Sequence, residues 1–262
     1  MLHSILFLGN IHPAQYNPKD IFAETEVFKK TMDDFPASFK YYQTHVAKRT
    51  PFSYFLELVT ICYDENNENM VKGKLCEILR GCKKSGDQYP LISVVICICE
   101  RGESRYYGAS LSCESDRERE IMTSVSCLHV WDRLVSFAVM SVFSADPGGV
   151  RTIQFQCQCR AYALENMEQE KPPCGRCSQL YSLPNPDPED IDFRNPAGNC
   201  AETEAISNLL LQKNSGVITE GVYEHQVIEE VMTACFNRNI NEIMEKRGRG
   251  NRNEYNINTF YP

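Results

Sequence analysis

The spacing of apolar positions changes several times along the chain, and each change marks an expected element. Leu91 to Cys99 is rich in β-formers, Glu100 to Ser104 carries a glycine, and Arg105 to Ser112 supplies a returning strand, which predicts a hairpin. Ser115-x-x-Glu118 is a capping box. Beyond it Ile121, Val125, Leu128, Leu134, Val135, Ala138 and Val142 recur at helical spacing, predicting one long helix with Trp131 on or near its buried side. Asp146-Pro147-Gly148-Gly149 stops that helix. From Thr152 to Cys159 the alternation is strict: Ile153, Phe155, Cys157 and Cys159 form an apolar face opposite Thr152, Gln154, Gln156 and Gln158, so a strand is expected. Cys200 to Gln212 reads as a helix ended by Asn214-Ser215-Gly216. A last amphipathic helix spans about His225 to Lys246 through Ile228, Met232, Phe236, Ile240 and Ile243.

The first ninety residues are less regular. Phe52 to Tyr63 suits a helix or a strand, Asp64 to Asn69 a turn, and Val71 to Cys82 a short helix. The chain therefore divides into an N-terminal mixed, mostly helical region over 1–90, an α/β region over 91–246, and a basic tail over 247–262 expected to be mobile. No apolar run reaches the length of a membrane span, and no leader pattern opens the sequence. The net charge of -8 argues against a broad nucleic-acid footprint. The thirteen cysteines, odd in number and scattered, do not read as a disulfide framework and point to a reducing compartment, cytoplasm or nucleus.

Two short motifs carry the chemistry. Pro173-Cys174-Gly175-Arg176-Cys177 places two thiols three positions apart, where the first turn of a helix directs both at one ion, and Pro172 and Pro173 suit such a helix start. Gly198-Asn199-Cys200-Ala201-Glu202 offers a third sulfur, with a carboxylate two residues beyond it. Helix starts favour thiolate over thiol. Three thiolates leave a zinc ion one open position for water, and Glu202 is the candidate proton carrier beside it. A nearby cation would offset the negative site, and Arg176 is the candidate, with a solvated arginine as the alternative.

The flanks extend the match. Pro173 to Leu180 resembles the Pro-Cys-Gly-x-Cys-x-Gln-hydrophobic run of the cytidine deaminase superfamily, and Gly198 to Ile206 resembles its Gly-x-Cys-Ala-Glu-x-x-Ala-Ile helix start. The resemblance implies Zn2+ held by Cys174, Cys177 and Cys200, with Glu202 as catalytic proton shuttle. It implies a three-layer α/β sandwich with a mixed sheet, permuted or not, and a nucleoside, nucleotide or nucleic-acid substrate bearing a cytosine- or adenine-type base. This chain departs from that pattern twice. Its Cys-x-x-Cys precedes Cys-Ala-Glu, and Glu189 to Ala197 lacks the Asn-x-Glu element that holds a free ribose. The usual order would instead put the third ligand near the start of the helix after the hairpin, where Cys113 stands.

Other readings remain open. Cys157, Cys159, Cys174 and Cys177 could close a structural zinc site, which would suit a non-catalytic interaction protein. The alternating strand favours buried packing for Cys157 and Cys159, and likewise for Cys97 and Cys99. Glu202 in a first helical turn is favourable by dipole alone. His3, His12 and His45 show no ligand spacing, and His129 and His225 are assigned to no metal. Lys246-Arg247-Gly248-Arg249 reads as a solvated terminus before it reads as a phosphate contact.

Overall fold

The structure is a computed structural model describing residues 1–22, 24–82, 91–143, 149–154, 157–190, 193–212, 225–247 and 255–260. The chain opens with α1 (Leu2–Ile11), α2 (Pro18–Ile21), α3 (Thr25–Asp34), α4 (Pro36–Tyr41) and the short β1 (His45–Val46). α5 (Pro51–Cys62) and α6 (Glu68–Cys82) follow, then the hairpin β2 (Val95–Arg101) and β3 (Ser104–Ala109). After α7 (Asp116–His129) and α8 (Arg133–Phe143) comes a second hairpin, β4 (Gln158–Ala163) and β5 (Asn166–Lys171). α9 (Gly175–Tyr181), α10 (Ala201–Leu210), α11 (His225–Lys246) and β6 (Asn256–Phe260) complete the chain. Phe52 to Tyr63, open between helix and strand, is helical: Pro51 occupies the first turn of α5.

The main sheet runs β3-β2-β4-β5 and every pairing in it is antiparallel. This corrects the expectation of a mixed sheet. Only a two-residue turn separates β4 from β5, and a parallel partner would need a crossover of about a dozen residues. Among the described residues the parallel pairing is β1 with β6, a separate two-stranded sheet.

Helices cover both faces of the main sheet. Ile96 and Ile98 of β2, with Tyr107, Ala109 and Tyr162, pack under Leu56 and Val59 of α5 and Val71, Leu75 and Leu79 of α6. The opposite face carries Cys97, Cys99 and Ala161 and packs under Ala201 and Ala205 of α10 and Val135, Ala138 and Val139 of α8. A third core joins Phe7, Leu8 and Ile11 of α1 to Ile121, Met122 and Val125 of α7 and Phe236, Ile240 and Ile243 of α11. The layered α/β arrangement holds in this coarse sense, and one covering layer comes from residues before 90.

Part of the expected tail is the strand β6. Tyr255 is buried, β6 pairs beside β1, and Arg247 donates to the carbonyls of Asn10 and His12, so 255–260 is ordered by the N-terminal helices. Gly248 to Glu254, Asp146 to Gly148 and Asn214 to Gly216 lie outside the described residues. Among the described residues no helix is long and apolar enough to cross a membrane.

Candidate metal centre

The two motifs meet in space. Cys174 is the N-cap of α9 and accepts the Cys177 amide on its sulfur at 3.4 Å; Cys200 is the N-cap of α10. Cys174 Sγ lies 3.4 Å from Cys200 Sγ, and the sulfurs of Cys174, Cys177 and Cys200 all lie within 4.8 Å of one another. A tetrahedral thiolate site at zinc–sulfur lengths has sulfur–sulfur edges of about 3.8 Å. The group could thus hold one metal ion of that size.

The local sequence explains the convergence. Pro172 and Pro173 lead from β5 into α9, whose first amide, Gly175 N, is held at 2.8 Å by the Asp190 carboxylate. Gly198 has φ +85°, and a side chain there would sit 2.7 Å from Thr123, so the bend that delivers Cys200 requires glycine. Thr203 N closes the first turn of α10 onto the Cys200 carbonyl at 3.1 Å.

Hydrogen bonds with Cys177 and Cys200 hold the Cys174 thiol well below the usual range. The contact with Cys174 pushes Cys177 and Cys200 up. Glu202 is 5% exposed, and its Oε2 receives Cys177 Sγ at 3.8 Å. Burial, with the negative Cys174 among the further causes, pushes its carboxyl up to about 7.

A pocket of about 490 Å³ opens over this group. Cys174, Cys200 and Glu202 belong to its lining, together with Asn199, Lys171 and Arg119. Asn199 Oδ1 is buried and has no hydrogen-bond partner among the described residues. The volume falls within the range of small-molecule sites.

Cys113 lines the same pocket, yet its sulfur is not part of the group, and its thiol is pushed up by burial. Arg176, the candidate cation with a solvated arginine as its alternative reading, does not line the pocket: its guanidinium stacks on Phe193, 4.3 Å from the ring centre, and bonds Gln179 at 2.7 Å. The cations in the pocket wall are Lys171, Arg119 and Arg194. Lys171 was missed because it ends an exposed strand; its position directly before Pro172 was the available signal. Cys157 and Cys159 do not join Cys174 and Cys177 in a ribbon-type site. They meet Cys97 and Cys99 on the main sheet instead. Set against protein-family models, curated proteins and solved structures, the chain matches none.

Proposed function

We propose that the protein is a zinc-dependent hydrolytic deaminase acting on a small amine-bearing heterocycle of the cytosine or adenine type. The observation that carries this reading is a carboxylate, Glu202, lining the same pocket as two sulfurs of a three-thiol cluster. A three-thiolate set leaves a tetrahedral ion one open position, as catalytic rather than structural sites do. Zinc bound by Cys174, Cys177 and Cys200 would supply Lewis acidity toward a water in the pocket. Glu202 would take a proton from that water as its oxygen bonds to the amine-bearing ring carbon. It would pass the proton to the adjacent ring nitrogen and assist transfer to the departing amine. The carbon–nitrogen bond breaks, ammonia leaves, and the carbon keeps the water oxygen as a carbonyl. Asn199 Oδ1, buried and without a partner among the described residues, suits a hydrogen bond from the base edge, and Lys171 and Arg119 suit an anionic substituent such as a phosphate.

The test is ammonia release from cytidine, adenosine, their nucleotides and short single strands by zinc-loaded protein. Glu202→Ala should keep the zinc and lose about 10²-fold or more in rate. Equal activity in that variant would remove Glu202 from the reaction. Silence across the panel from loaded protein would favour the non-catalytic reading, an interaction domain with a degenerate metal site.

A further inference from the structure

We propose that Cys97, Cys99, Cys157 and Cys159 form a second metal centre, closed and structural, in which four thiolates hold one zinc ion against the main sheet. One Cys-x-Cys pair lies in β2, and the other straddles the start of β4, with Cys159 in the strand and Cys157 one residue before it. In β2, Cys97 and Cys99 are two positions apart, so their side chains leave the same face. In β4, Cys159 is the direct antiparallel partner of Cys99, and Cys157 precedes it by two. Directly opposed side chains start about 5 Å apart at Cβ, within reach of a shared ion.

The sulfurs are gathered accordingly. Those of Cys97, Cys99 and Cys159 lie within 4.8 Å of one another. Cys157 Sγ lies 3.4 Å from Cys159 Sγ and within hydrogen-bonding reach of Cys99. One ion at zinc–sulfur length needs sulfurs about 3.8 Å apart, so this spacing suits a single ion rather than a cluster of several irons. A lone buried thiol packs as a small hydrophobe. Three within 4.8 Å of one another, with Cys157 against Cys159, are different, because a thiol is a weak donor and a weak acceptor.

Access and charge also fit. Cys97 and Cys99 are fully buried, while Cys157 and Cys159 are half-buried and leave a way in. Arg101 places positive charge near Cys157, which offsets the net negative charge of a zinc tetrathiolate. With every position taken by sulfur the ion has no place for water, so its work is mechanical. It ties β2 to β4, the central pair of the sheet on which α10 rests.

This proposal does not depend on the deaminase reading. The test is zinc content of the full chain, stripped of metal under reducing conditions and refolded with zinc alone. A variant with Cys174, Cys177 and Cys200 all changed to Ser should keep one zinc per chain. X-ray absorption of that zinc should show four sulfurs at about 2.3 Å. In the otherwise unaltered protein, Cys157→Ser, at the half-buried corner, should lower the number of zinc–sulfur bonds or the zinc content. Cys97→Ser with Cys159→Ser should abolish this ion. A triple variant that folds without zinc, a bound zinc with fewer than four sulfurs there, or a disulfide among these four in non-reducing mass spectra would overturn the proposal. Loss of activity with the sheet ion retained would count only against the deaminase reading.

Discussion

Glu202 and Glu204 stand two positions apart in the first turn of α10, and both are buried. Nothing local in Ala201-Glu202-Thr203-Glu204 separates them; their partners do. Glu204 accepts Arg49 Nε at 3.0 Å, Ser53 Oγ at 3.0 Å and the Ala109 amide at 2.8 Å, tying α5 and β3 to α10. Arg49 and Ser53 lie more than 150 residues away in the chain, so no motif could have revealed the clamp. Glu204→Ala should cost about 3 kcal/mol, because it leaves Ser53 Oγ and the Ala109 amide without their acceptor and a largely buried Arg49 with Glu57 as its remaining carboxylate. Glu202→Gln should leave stability unchanged within about 0.5 kcal/mol, or raise it, since burial already penalises the ionised carboxylate. Urea unfolding of both variants checks this; equal losses would refute the division of roles. His3 allows a prediction in pH. Burial pushes its imidazole down from 6.5 to about 4 in the folded chain. The unfolded chain therefore takes up the proton first as pH falls, so this contribution is intact above about pH 6.5 and is lost progressively down to about pH 4. His3→Gln should flatten the pH dependence of the urea midpoint in that window, and parallel curves would show that His3 does not set it.

At the level of elements, the pattern was legible in phase and less so in extent. The expected helix after Ser115 is two helices. The Val130 and Trp131 amides both turn back to the Ser126 carbonyl, and Asp132 Oδ1 then accepts the Leu134 amide to start α8. That aspartate was a readable N-cap, hidden by apolar residues that kept helical spacing across the break. The expected strand over Thr152 to Cys159 begins only at Gln158, and Phe155 and Gln156 lie outside the described residues. Ile153 and Thr152 donate to the carbonyls of Leu180 and Gln179, so residues 152–153 lie against α9. Alternation gave the right faces for Cys157 and Cys159, and it could not say which neighbour supplies the hydrogen bonds. The seating of α10 rests on Gly108, where a Cβ would lie 2.2 Å from Ala205 N and 2.5 Å from the Ala201 carbonyl oxygen. Gly108→Ala should therefore lever α10 off the sheet, costing about 1–3 kcal/mol. Because Cys200 and Glu202 ride on that helix, zinc affinity should fall with stability. A variant with native melting temperature and zinc content would show that α10 does not need this close approach.

Across the whole molecule, elements on either side of residues 90 and 247 pack together. α5 and α6 show apolar faces in the sequence, but the sheet they cover begins only at Val95 and is completed near Lys171. The strand β6 was not legible for a similar reason. The tail's basic stretch draws the eye, while Tyr255, Ile257 and Phe260 are too few to announce a strand, and their partners lie at the other end of the chain. Tyr255 sets its ring edge-on to Phe7 at 5.4 Å, accepts from Asn10 and donates to the Tyr42 carbonyl at 3.2 Å. Residues 255–260 thus close the core formed by α1, α7 and α11. Removing residues 255–262 should expose that core and cost about 4 kcal/mol for the lost burial of Tyr255 and Ile257 alone. The Cys174, Cys177 and Cys200 group shares no core residue with that strand, so the truncated chain, where folded, should bind metal there as the full chain does. Urea unfolding and zinc content read together decide it: an unchanged midpoint would mean that the tail strand adds nothing, and a zinc loss at temperatures well below unfolding would mean that the two ends of the molecule are coupled through α7.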